Sequence, residues 1–306
     1  MTKKILYFLT PTENISPFDV TIAADAGFDM VVPFTKLELK QVSAMVQDAI
    51  FCRPPNRFND TGIFIGGRDV HMATDMFQNA KNSMVGPFKV GVFADPNGAY
   101  TTSASIVALI EKVLNDKTGK GLFGRKVAIF GTGPVGLCTA ILAAKQDASV
   151  KLCQLVADDD EKAALRFCER YKAEVEWVSA QTNDEKDRVV RDAEIIICAA
   201  RAGVRILESS LSCAENLILA ADTNAVPPSG IDGIGLNDLG VVVEVFGTSF
   251  LSIGPMAIGN LKYKTQFGLY EQIQKSSTAA LIDFPDAYEF ALSILKQQPV
   301  KPEKSS

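Results

Sequence analysis

The sequence predicts an α/β fold built on two parallel sheets, and two observations carry that reading. β-Rich runs alternate with segments of helical length along most of the chain, and a GxGxxG glycine pattern sits between one such run and the helix after it. The 306 residues suffice for two domains of ordinary size, each burying its own core.

In order along the chain, KILYFL (4–9), DMVVPF (29–34), TGIFIGG (61–67) and FKVGVFA (88–94) read as strands. The gaps hold helix-length segments such as 36–49 and 69–84, and connections of that length join parallel strands. SPFDV supplies Ser16 as an N-cap, Pro17 at the first helical position and Asp19 in the first turn, so helix-start chemistry accounts for it. A helix from near Thr101 leads through the polar stretch NDKTGKGLFGR (115–125) into a second series: KVAIF (126–130), VKLCQ (150–154), VEWV (175–178), EIIICA (194–199) and LILAA (217–221). That cadence is the one expected of a Rossmann domain. IGPMAIGNLKYKTQFGLYEQIQ (253–274) has the apolar pattern of a long helix, a last helix is expected near 284–296, and KPEKSS reads as a frayed tail.

With 47% hydrophobic and 22% charged residues, the composition is that of a soluble globular protein. A net charge of −5 gives no reason to expect nucleic acid or an anionic membrane as partner. The first apolar run, Ile5 to Leu9, is too short for a signal-peptide core, and no stretch approaches a membrane span. Cys52, Cys138, Cys153, Cys168, Cys198 and Cys213 lack CxxC spacing and lie in mostly apolar surroundings. Free thiols in a reducing, cytoplasmic setting fit better than a disulfide frame.

The strongest chemical signal is KVAIFGTGPVGLCTAILAA (126–144). Gly131 permits the tight turn, Gly133 admits a pyrophosphate and Gly136 allows close helix packing, so a dinucleotide is expected on the helix opening near Pro134. Thr132, Pro134 and Val135 fall within this loop, and Ala200 follows the strand at 194–199. The residue that should choose between NAD and NADP stands at the end of the next strand, where an acid would accept from the ribose 2′-OH and an Arg would pair with a 2′-phosphate. Gln154 and Leu155 stand there, which leaves both NAD and NADP usable. Asp158, Asp159 and Asp160 come a few residues late and read as the N-cap and first turn of the following helix.

A second concentration, FADPNGAYTTSAS (93–105), places Asp95, Asn97, Thr101 and Thr102 at a strand's carboxyl end, where open α/β sheets bind ligands. It reads either as a ligand site or as a turn and helix cap. A third, AADTNAVPPSGIDGIG (220–235) with Asn224, reads either as a cover over the nicotinamide end of the cofactor or as a rigid surface connection. Lys262 and Lys264 are two apart on a helix and diverge, so at most one faces a cleft. The single histidine, His71, lies away from every Gly-rich loop and reads as structural or exposed. No residues have metal-ligand spacing, and no GxSxG or Cys/His pair suggests a hydrolase.

Oxidising an alcohol removes a proton as well as a hydride and calls for a general base, which this chain scarcely offers. A substrate that loses hydride alone, leaving a cation shared by two nitrogens, needs none. Together SPFDV (16–20), GIFIGG (62–67), VFADPNGAYTTSA (92–104), GTGPVG (131–136), AADTNAVPPSGIDGI (220–234) and IGPMAIGNLKYKTQ (253–266) resemble the bacterial NAD(P)-dependent methylene-tetrahydromethanopterin dehydrogenases. The resemblance implies a substrate domain of residues 1–100 with 276–306, a Rossmann-type NAD(P)-binding domain of 101–275, a pterin cleft between them, and homo-oligomers. By motif match it puts Asp19, Thr101, Thr102 and Lys262 around the pterin, Lys262 being the lysine of the GNLK unit. Strictly NADP-dependent members carry a Gly-Arg-Lys setting where this chain has Gln154, Leu155 and Val156, which again points to dual NAD or NADP use.

The expected activity is hydride transfer from methylene-tetrahydromethanopterin to NAD(P)+, giving the methenyl cation in one-carbon oxidation. The alternatives are a methylene-tetrahydrofolate dehydrogenase, a keto/hydroxy-acid or quinate-type dehydrogenase using Lys262 with Asp95, and a non-catalytic NAD(P)H sensor.

Overall fold

The computed structural model describes residues 2–157 and 160–297. The expectations for Asp158, Asp159 and the terminal KPEKSS lie outside the described residues.

The first series forms β1 (Ile5–Leu9), α1 (Pro17–Asp25), β2 (Met30–Phe34), α2 (Val42–Phe51), β3 (Thr61–Ile65), α3 (Val70–Asn82), β4 (Gly91–Ala94) and the long α4 (Ala99–Thr118). The second forms β5 (Lys126–Phe130), α5 (Pro134–Ala144), β6 (Ser149–Gln154), α6 (Glu161–Arg170), β7 (Glu176–Ser179), α7 (Asn183–Asp192), β8 (Ile195–Cys198) and β9 (Leu219–Asp222). Then come β10 (Leu239–Val245), β11 (Thr248–Ile253), α8 (Pro255–Lys275), β12 (Leu281–Ile282) and α9 (Phe284–Gln297). The α/β fold class is therefore observed, with one sheet ordered β12-β4-β3-β1-β2 and the other β10-β11-β9-β8-β5-β6-β7. Every described pairing is parallel except β10 with β11.

Burial explains which runs became central strands. TGIFI in β3, GVFA in β4 and IIIC in β8 are buried throughout, as strands covered by helices on both faces must be. β3 ends at Ile65 rather than at residue 67 because Gly67 adopts φ 124° and turns the chain away. The helix expected from residue 36 starts at Val42, behind a 3-10 turn over Leu39–Gln41. In that turn the Glu38 N–H donates to the Gln41 side chain at 2.8 Å. The hairpin of β10 and β11 was not expected. Its strands flank Phe246 and Gly247, both at positive φ, the backbone that lets a two-residue turn follow the twist of paired strands.

α8 packs on the first sheet. A Cβ on Gly91 would stand 2.7 Å from Ile273 Cγ2, so the glycine in β4 allows the helix to approach closely. Tyr270 then sits edge-on or tilted to Phe28, Phe64 and Phe93, with ring centroids 5.4–6.1 Å away. The segment between the second sheet and residue 275 thus lies with the first sheet rather than with the strands that precede it. α4, roughly 30 Å long, packs against α5, α8 and α9, and a single apolar cluster runs from one sheet into the other. His71 meets Phe167 edge-on at 4.9 Å, a packing contact between α3 and α6. The six cysteines are unpaired, and no helix among the described residues is long and apolar enough to cross a membrane.

Candidate active site

At the carboxyl ends of β5, β6 and β8 lies a groove of about 530 Å³. Gly131, Thr132, Gly133 and Ala200, all expected to meet the cofactor, line it. The three glycines take the places their spacing suggests. Gly131 has φ 118° and a Cβ there would stand 2.6 Å from the Ala199 carbonyl oxygen, while a Cβ on Gly136 would overlap the Gly131 carbonyl. Gly133 has open space on its side, where an incoming phosphate would need it. Pro134 is the first residue of α5, and Val135 and Gly136 complete its opening turn, whose free N–H groups and dipole favour an anion. The residues present therefore fit a dinucleotide.

Leu155 and Val156, which follow Gln154, also line the groove, together with Gln181, Lys186, Arg201 and Arg205, which were not singled out from sequence. Arg205 is paired with Asp232, and the Lys186 ammonium donates to the Ile206 carbonyl at 3.0 Å. Among the described lining residues none is an acid, so the groove favours anions. Gln154 stands beside the groove at the end of β6, donating to the Ala157 carbonyl at 3.3 Å and accepting from Gln181 at 3.5 Å. Asp160 caps α6 by accepting from the Ala163 N–H at 2.9 Å, as its helix-start reading requires. Asn224, expected to meet the cofactor, does not line the groove; its side chain ties its own loop to the segment after β8, accepting from Gly203 and Val226 N–H and donating to the Pro228 carbonyl at 2.7 Å.

The second site forms where α1, the turn after β4 and α8 converge. Asn97 and Gly98 both have positive φ (52° and 67°), which folds the chain tightly before α4 begins. A Cβ on Gly98 would lie 3.0 Å from Lys262 Cε and 3.1 Å from its Nζ, so the glycine makes room for the lysine. The Lys262 ammonium stands 3.7 Å from the Phe18 ring centroid and donates to Gln266 Oε1 at 2.9 Å. Gln266 Nε2 in turn donates to Asp19 Oδ1 at 2.7 Å. Lys264 is exposed, which settles which lysine turns inward. A cavity of about 290 Å³ opens here, lined by Thr12, Ser16, Asp19, Arg68 and Asn97 among others.

Asp95 and Thr101 are fully buried beneath this cavity rather than facing it. Asp95 accepts from the N–H groups of Tyr100 and Thr101 at 2.9 and 3.2 Å and from the Thr101 hydroxyl at 2.6 Å. The structure thus places these two behind the cavity, with three donors already on the Asp95 carboxylate. Thr102 is half-buried and its hydroxyl donates to the Gly98 carbonyl at 2.6 Å.

Burial sets the electrostatics. It pushes the Asp19 carboxyl up to about 6, with the nearby Asp95 charge adding to the rise and Gln266, Lys262 and Ser16 opposing it. Asp95 is raised by burial against the pull of Lys262 and its own hydrogen bonds, and Lys262 is lowered by burial against the pull of both carboxylates. With all three ionised, the two carboxylates and the ammonium leave one net negative charge among these groups, the exposed Arg68 on the cavity wall being screened by water.

A larger hollow of about 840 Å³ lies by the amino end of β6, near Gly124, Asp147 and Lys172. That is the end of the sheet opposite to the one at which open α/β sheets bind ligands. Among the described residues, no group of three or more His, Cys, Asp or Glu is placed to hold a metal ion.

Comparison with known proteins bears on both sites. Residues 17–97 match a family model described as methylene-tetrahydromethanopterin dehydrogenase, N-terminal. The chain is 38% identical over 300 residues to the NAD(P)-dependent methylenetetrahydromethanopterin dehydrogenase of Methylorubrum extorquens, covering 96% of this chain and 99% of that protein. It is 32% identical over 295 residues to the bifunctional protein MdtA of the same organism, covering 95% and 99%. Among solved structures it is similar to a shikimate 5-dehydrogenase from Listeria monocytogenes (TM-score 0.52, 13% identity, 96% of each chain). It is also similar to an ornithine carbamoyltransferase from Pyrococcus furiosus (TM-score 0.55, 11% identity, 90% of this chain and 86% of that one). At those identities the structural likeness concerns the fold alone.

Proposed function

The chain belongs to the methylene-tetrahydromethanopterin dehydrogenase family, and from that premise we propose how its two sites share the work. The protein is an NAD(P)-dependent oxidoreductase that converts methylene-tetrahydromethanopterin to the methenyl form. The observation that carries this is similarity over nearly the whole chain, so that both the glycine groove and the charged cluster fall within it.

NAD(P)+, when bound, accepts the hydride. The groove's part is to hold the pyrophosphate on the first turn of α5, with Gly131, Thr132, Gly133, Pro134, Val135, Gly136 and Ala200 as its frame. Gln154 lies beside the adenosine ribose and leaves both nucleotides usable. Asn224 acts at one remove, by fixing the 222–230 loop against Gly203.

On the other side, Asp19, Asn97, Thr102 and Lys262 meet the pterin, with Asp95 and Thr101 as backing. Loss of hydride leaves a cation and releases no proton, so no general base is needed. Lys262 alone would oppose that cation. The two carboxylates behind it reverse the sign of the cluster, and a unit charge about 6 Å from the reacting carbon is worth roughly 3 kcal/mol at an effective dielectric near 20. Binding both partners in one closed cleft supplies orientation and excludes water.

The keto/hydroxy-acid alternative is disfavoured because its required partner, Asp95, is fully buried and already accepts from three donors. The tetrahydrofolate and sensor alternatives are disfavoured by the relative's named activity. We further propose that residues 1–100 and 276–306 form the substrate domain and that the expected nucleotide domain of 101–275 gives up its last helix, α8, which packs on the substrate sheet and supplies Lys262 from that side. We also propose that the protein assembles as a homo-oligomer in the cytoplasm. The test is turnover of methylene-tetrahydromethanopterin beside methylene-tetrahydrofolate, with NAD(P)H and methenyl product formed one to one. Turnover confined to the folate, or absent with both, would overturn the assignment.

A further inference from the structure

We propose that Gln266 is a positioning residue of the active site, its amide fixing where the Lys262 ammonium and the Asp19 carboxylate face the substrate. The inference rests on the activity proposed above but is carried by a separate observation. Gln266 is fully buried, accepts from Lys262 Nζ at 2.9 Å and donates to Asp19 Oδ1 at 2.7 Å. One contact spans a single helical turn of α8; the other reaches a residue 247 positions away, on α1.

The partners dictate the amide's orientation. An ammonium has only donors and must take Oε1, while an ionised carboxylate has only acceptors and must take Nε2. A flipped amide would oppose donor to donor and acceptor to acceptor, so the two charges lock the amide, and the amide spaces them. A neutral side chain with a donor and an acceptor at one end can do this without adding a charge. An apolar residue of the same length would fill the space and do neither. The charged and titratable groups facing Asp19 are Asp95 from the turn after β4, and Lys262 and Tyr270 from α8. Among the groups around Asp19 that favour its ionised form, the Gln266 amide acts most strongly, ahead of Lys262 and Ser16.

Removing the amide therefore raises the Asp19 carboxyl further and frees the Lys262 ammonium from its acceptor. Gln266→Met is expected to lower kcat for methylene-tetrahydromethanopterin oxidation at least tenfold, with NAD(P)+ affinity changed less than twofold. Its acid limb should move upward from near 6. Gln266→Glu keeps an acceptor for Lys262, loses the donor to Asp19 and sets a second carboxylate beside it, so it should be impaired at pH 8 and its acid limb should lie above that of the wild type. The melting temperature and the Asp19 carboxyl titration, followed by carbon NMR, are recorded for each protein. A Gln266→Met enzyme that loses thermal stability but keeps its kcat and acid limb would show a merely structural role and overturn the proposal. If the wild-type protein turns over no pterin, it is the activity assignment that fails. The NMR titration then decides the bridge by itself, an unmoved Asp19 midpoint refuting it and a raised one supporting it.

Discussion

Around Gly131–Gly136 the chain offers a ligand its backbone, whereas around Asp19, Asp95 and Lys262 it offers charge held out of water. The first site needs what is absent, since side chains at Gly131 and Gly136 would collide with main chain and one at Gly133 would intrude on the groove. The second needs what is present, and its parts come from α1, the turn after β4 and α8. A backbone cradle holds any dinucleotide phosphate and discriminates little. A buried charge cluster acts on the one atom whose charge changes, and burial makes each charge count for more than it would in water. On the proposed assignment holding and reacting are separable, and substitutions should separate them.

The largest break is expected at Gly136→Ala, where the added methyl overlaps the Gly131 carbonyl. Dinucleotide binding, measured by titration calorimetry, should weaken at least ~100-fold (~2.7 kcal/mol). Binding of the pterin should change little, and loss of both together would mean the sites are not independent. Next comes Asp19→Asn, which takes the cluster from one net negative charge to none. At pH 8, kcat should fall about tenfold (~1.4 kcal/mol), short of the full pairwise value because Asp95 remains. In the wild type, kcat should decline as pH falls through about 6, since protonating Asp19 does what the substitution does; that limb should vanish in the variant. Stability runs the other way. The native carboxyl at about 6 holds a proton that the unfolded one, near 3.8, has released, so the Asp19 contribution weakens as pH rises across that window. The smallest effect is expected from Gln154→Arg, a gain of up to about tenfold in kcat/KM for NADP+ relative to NAD+. An unchanged ratio would place the ribose selector elsewhere, with Lys186 and Arg201 in the groove as the next to test.

How legible each site was in the sequence follows from how local its signal is. The glycine loop lies within six residues, and its strand and helix flank it directly, so the conformations of Gly131 and Gly136 were readable. Lys262 was readable against Lys264 by family motif, and the structure leaves Lys264 exposed. Gln266 was not, because its meaning depends on Asp19, 247 residues away. Asp95 stood out as a turn former, but no local pattern shows that three donors would close over it. Asn224 is alike in this, since its bond to Gly203, 21 residues away, shows in no local pattern. Most strands were read from continuous apolar runs. The β10–β11 hairpin gave a weaker signal, because no residue of β10 is fully buried and its turn is Phe246–Gly247 rather than an Asn-Gly or Asp-Gly pair.

The separation of holding from reacting is tested most directly at Lys262. Its replacement by Met should be followed by single-turnover oxidation of methylene-tetrahydromethanopterin at saturating NAD+, with the NAD+ dissociation constant measured on the same preparation. The account requires the rate to fall ~10- to 100-fold (~1.4 to 2.7 kcal/mol) while nucleotide affinity stays within about twofold. An unchanged rate, or a rate that falls only in step with nucleotide affinity, would contradict it.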